Sequence, residues 1–119
     1  MLNIQTHFSD SVLVVELDGR LLAENIVVVW NGIVAALDQQ DTARIVVNLN
    51  GINFIDSRGL AVLVTWLKRC RARQGDLFLC QVNPTVLNVI ELTRLNLAFT
   101  IFDDEETAVN AFIQSIANL

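Results

Sequence analysis

The chain has 119 residues, of which 53% are hydrophobic and 18% charged, with a formal net charge of −5. That length supports a single domain over 1–119 with a core that needs neither metal nor disulfide, and the apolar content excludes a disordered chain. The acidic balance argues against a nucleic-acid-binding domain. With no run near the roughly twenty apolar residues of a membrane span and no cationic leader, a cytoplasmic location without membrane insertion is expected.

In chain order, Ile4 to Phe8 and Val12 to Leu17 read as strands joined by the polar Ser9-Asp10-Ser11, which predicts an antiparallel hairpin. Asp18-Gly19-Arg20 is expected to turn the chain into a helix from Ala23 to Gln39, with Ile26, Val29, Trp30, Ile33 and Leu37 on one face and Val27 or Val28 left exposed. Arg44 to Leu49 is short, β-branched and apolar, the pattern of a buried strand. From Leu60 the period changes, and Leu60, Leu63, Val64 and Leu67 share one helical face. Lys68, Arg69, Arg71 and Arg73 crowd the far end of that helix while Asp56 and Ser57 stand at its start, the distribution the helix dipole favours. Ser57 is expected to be the N-cap.

Gly75, in Gln74-Gly75-Asp76, stops the helix and a strand follows from Leu77 to Val82. Asn83 then caps a third helix with Pro84 in its first position and Val86, Val89 and Ile90 on its apolar face. Phe99 to Phe102 reads as the last strand. Asp103 with Glu106 resembles a capping box before a helix whose stripe of Val109, Phe112, Ile113 and Ile116 is core. The resulting order, ββαβαβαβα, predicts an α/β fold: a mixed sheet with an early antiparallel hairpin, then parallel crossovers covered by about four helices.

The chemistry-bearing residues are few. Cys70 and Cys80 lack the spacing of a redox or zinc motif, and His7 is the only histidine, so no metal site is expected and both thiols read as reduced. Phosphate-binding loops and dinucleotide fingerprints are absent, and the acidic run Asp103 to Glu106 suits a helix start better than a carboxylate pair. Ser57 has no histidine near it in sequence to act as a base, so no catalytic residue, enzyme activity or cofactor is expected. What remains is a Ser hydroxyl where strand hands over to helix. There unpaired first-turn N–H groups attract phosphate, although Asp-Ser before an apolar helix is also plain capping chemistry.

The stretch Leu49-Asn50-Gly51-Ile52-Asn53-Phe54-Ile55-Asp56-Ser57-Arg58-Gly59-Leu60 resembles the signature of the STAS family, the anti-sigma factor antagonists and their relatives. The likeness extends through Val14 to Leu21, Asn83 to Val86 and Leu92 to Leu95, so it spans nearly the whole chain. It implies that the Ser directly after the Asp, here Ser57, is phosphorylated, and that Leu22, Asp56, Ser57, Arg58 and Gly59 form a partner-binding surface. The implied activity is partner switching. The unphosphorylated chain binds an anti-sigma factor serine kinase, phosphate on Ser57 releases it, and a serine phosphatase restores binding. The resemblance also implies an alternative, a regulatory subunit of a transport complex or multi-protein sensory assembly, and a homodimer is compatible with either. Three positions depart from the family pattern. Arg58 replaces a small hydroxyl residue, Leu22 replaces an acidic one, and Arg94 replaces a glycine, which suggests a different helix ending there.

Overall fold

The computed structural model describes residues 2–38 and 42–117. Among these, the elements run β1 (Leu2–Ser9), β2 (Val12–Leu21), a 3₁₀ turn (Ala23–Asn25), α1 (Ile26–Asp38), β3 (Arg44–Ile55), α2 (Ser57–Ala72), β4 (Asp76–Cys80), α3 (Pro84–Leu92), a second 3₁₀ turn (Leu95–Leu97), β5 (Thr100–Phe102) and α4 (Glu105–Ala117). Gln39, the expected end of the first helix, and the side chain of Ile33 lie outside the described residues. The strands form one sheet in the order β1-β2-β3-β4-β5. The β1–β2 pair is antiparallel and every later pair is parallel, the mixed sheet the element order demands.

Strand alternation divides the apolar residues between two faces. Leu13, Val15 and Leu17 of β2 and Ile45, Val47 and Leu49 of β3 join a large core with α1, α2 and α3. Their neighbours Val12, Val14 and Val46, with Cys80, point the other way into a smaller core closed by Ala108, Val109 and Phe112 of α4. Phe78 stacks on Phe112 there with ring centroids 4.0 Å apart. Helices α1 to α3 therefore cover one face and α4 covers part of the other. Val27 and Val28 are both exposed on the outer side of α1.

Four local expectations are corrected. Asp18-Gly19-Arg20 does not turn the chain, because β2 continues to Leu21 with register shifts either side of Asp18 and Gly19 that let it follow the lengthened β3. Glycine is required there, since Gly19 has a φ of 121°. At the end of α2, Gln74 rather than Gly75 adopts the left-handed conformation, with a φ of 63°. Gly75 instead serves close approach, because a side chain there would collide with the Ala43 carbonyl. Arg94 does not change the ending of α3: it takes a left-handed φ of 61°, the conformation a glycine would supply. The cap of α4 is Asp104, whose Oδ1 accepts from the Thr107 N–H at 2.7 Å, one residue beyond the expected Asp103.

Burial pushes the thiols of both Cys70 and Cys80 up to about 12. No helix of the described residues is long and apolar enough to cross a membrane.

Candidate functional site

The site begins where β3 outruns its neighbour. The pairing of β3 with β4 ends at Asn48 and Cys80, whereas its pairing with β2 continues to Ile55 and Leu21. The last residues of β3 thus project past β4, tied on the free side by the Asn83 side chain, which donates to the Ile52 carbonyl. Asp56 leaves the strand and Ser57 is the first residue of α2.

Asp56, not Ser57, is the N-cap. Its Oδ1 accepts from the Gly59 N–H at 2.8 Å, the standard capping bond. Its Oδ2 accepts from the Ala23 N–H at 2.8 Å, across 33 residues of sequence. One carboxylate therefore joins the start of α2 to the 3₁₀ turn that leads into α1. Partial burial pushes the Asp56 carboxyl up, but the N–H groups of Gly59, Ala23 and Arg58 and the Arg58 charge outweigh it and hold the group below its ordinary 3.8. Asp56 is ionised at neutral pH.

With the cap taken by Asp56, the Ser57 side chain is exposed, as is that of Arg58. Gly59 is buried, and it must be glycine: a Cβ would press into the Leu21 carbonyl oxygen and lie 2.9 Å from the Leu21 Cγ. Leu22 is half-buried at the head of the 3₁₀ turn, and its N–H donates to Asn25 Oδ1 at 2.9 Å. The five sequence-derived residues thus gather at one end of the sheet, linked through Asp56 and Ala23.

Three contributors escaped the sequence reading. Asn25 closes the turn by also donating its Nδ2 to the Arg20 carbonyl, a role visible only once β2 is seen to reach Leu21. Arg20 and Phe54 face each other across β2 and β3, with the guanidinium carbon 4.8 Å from the ring centroid. Phe54 is 42% exposed although it lies within a strand.

The arrangement holds the Ser57 hydroxyl in solvent on a fixed backbone. His7 is opposite Val14 and 3.7 Å from Glu105. Along β2, Val14 and Leu21 are separated by about 23 Å at strand rise, so His7 is no base for Ser57. Among the described residues no group of three or more His, Cys, Asp or Glu side chains is placed to hold a metal ion.

The STAS domain family model matches residues 3–108. An anti-sigma F factor antagonist of Paenibacillus polymyxa is 29% identical over 91% of this chain and 92% of its own length. The fold matches an anti-sigma factor antagonist from Mycobacterium paratuberculosis at a TM-score of 0.82, with 21% identity over 93% of each chain. It also matches the Bacillus cell fate determinant SpoIIAA in its phosphorylated form at a TM-score of 0.70, with 23% identity over 92% of this chain and 99% of that one. The family match over most of the chain, on a mixed sheet whose β3–α2 junction carries Asp56 and Ser57, places this protein in the STAS domain family.

Proposed function

We propose that the protein is an anti-sigma factor antagonist that works as a binding module switched by phosphate on Ser57. Unphosphorylated, it docks on an anti-sigma factor serine kinase through the end of the sheet formed by Leu22, Asp56, Ser57, Arg58 and Gly59. The kinase supplies the phosphate and this chain supplies the acceptor hydroxyl. The observation that carries the reading is an exposed Ser57 on the first turn of α2, beside an Asp56 already committed to the fold. The similarity to the anti-sigma F factor antagonist of Paenibacillus polymyxa supports the antagonist part of this reading.

A phosphate on Ser57 adds roughly −1.5 to −2 charges at pH 7. The Asp56 carboxylate already accepts the Gly59 N–H. The added charge therefore stays outward and acts by repelling the partner, with no refolding required. A serine phosphatase reverses the mark by removing it from a solvent-facing side chain.

The test is a binding titration with the purified anti-sigma factor that the full chain retains from its native cells. Ser57→Asp is expected to weaken binding by about tenfold or more, and Ser57→Ala to leave it near wild type. Equal affinity for the two variants overturns the switch.

A further inference from the structure

We propose that Arg20 and Phe54 form a preorganised anchor of the docking surface, fitting a partner that presents a carboxylate beside an apolar hollow. This rests on the reading of Ser57 as a switch and deepens it by naming the chemistry the switch controls.

Leu21 and Ile55 are paired across the sheet and buried on the helix-covered side. By strand alternation their neighbours Arg20 and Phe54 point to the opposite side. Phe54 belongs to neither core and keeps 42% of its surface open, so the fold makes little use of its ring. The Arg20 guanidinium lies over that ring. Stacking holds the planar fork extended before any partner arrives, which lowers the ordering cost of a bidentate bond to a carboxylate. Aromatic and arginine side chains of this kind dominate the energetics of protein interfaces.

Arg20 itself selects an acidic partner group, because its stacked guanidinium keeps its N–H donors for a carboxylate. Arg20 and Arg58 form no ion pair among the described residues. Asp56, the nearest carboxylate in sequence to Arg58, is engaged by backbone N–H groups and by the Arg58 charge, and exposed Asp18 and Glu24 are the further negative charges near in sequence. Arg58 acts on the ionised Asp56, so the stacked Arg20, which forms no ion pair, is the guanidinium left for a partner's carboxylate. A phosphate on Ser57 would add negative charge at the same end of the sheet and repel the carboxylate that Arg20 attracts.

The experiment titrates the same purified anti-sigma factor with Arg20→Gln, Phe54→Ala and Ser57→Asp, with exposed and remote Leu97→Ala as a control and thermal melts of every variant. Arg20→Gln and Phe54→Ala are each expected to weaken binding by about tenfold or more with unchanged melts, and Arg20→Gln to flatten the salt dependence. Leu97→Ala is expected to bind as wild type. Wild-type affinity in Arg20→Gln and Phe54→Ala, with Ser57→Asp weakened, overturns the anchor and leaves the switch. Weak Phe54→Ala with unaffected Ser57→Asp keeps the anchor and removes the switch. A full chain that retains no anti-sigma factor overturns both.

Discussion

Asp56 carries more of the site than the hydroxyl beside it. Its two oxygens accept from Gly59 and Ala23, so truncation strips the N-cap of α2 and the tie to the turn before α1 together. Asp56→Ala is expected to lower unfolding stability by about 1–2 kcal/mol in urea titrations. The pH dependence has a definite sign. A carboxyl held below 3.8 in the folded state contributes stability above that value and loses it as pH falls through the lowered one. The midpoint of thermal unfolding should therefore drop on acidification below about pH 4, and less steeply in Asp56→Ala. The dipeptide Asp56-Ser57 marked the helix start in sequence, but either residue is a good cap. The choice is made by the Ala23 N–H, a partner that no local pattern reveals.

At the level of elements, every strand and α-helix was legible from periodicity, and the errors fall at their ends. Asp18-Gly19-Arg20 has turn composition, yet it lies in a strand because β3 runs on to Ile55 and offers a ladder to pair with. The extension of β3 was itself obscured by Asn50, Gly51 and Asn53, residues that disfavour strands in isolation. Arg94 shows the converse. Its type argues against a left-handed ending, yet the helix end adopts one with arginine in place. The junction of these elements is tightest at Gly59, where α2 meets the Leu21 backbone without room for a methyl group. Gly59→Ala is expected to cost about 1–3 kcal/mol in chemical denaturation, through displacement of α2 from β2. Ser57→Ala, two residues away and exposed, should leave stability near wild type.

For the whole molecule, amphipathic patterns identified which residues would be buried but not which side of the sheet each helix would cover. That depends on crossover geometry, and it produces two cores of unequal size. The smaller one depends on α4 alone, so α4 is expected to open at lower free energy than α2. Cys80 lies in the smaller core and Cys70 in the larger, which makes the thiols reporters of that difference. Both should resist a thiol reagent in the native chain at neutral pH, and in mild denaturant Cys80 should be labelled before Cys70, read by peptide mass mapping. The commitment of Asp56 to the helix end has a consequence at this scale for the proposed cycle. A phosphate on Ser57 finds the best amide of that end already occupied, so the fold has little means of absorbing the mark. Nothing of the event is then stored in the backbone. Once the phosphate is cleaved, the molecule returns to its starting state without a refolding delay, and the memory of the signal lasts only as long as the ester bond.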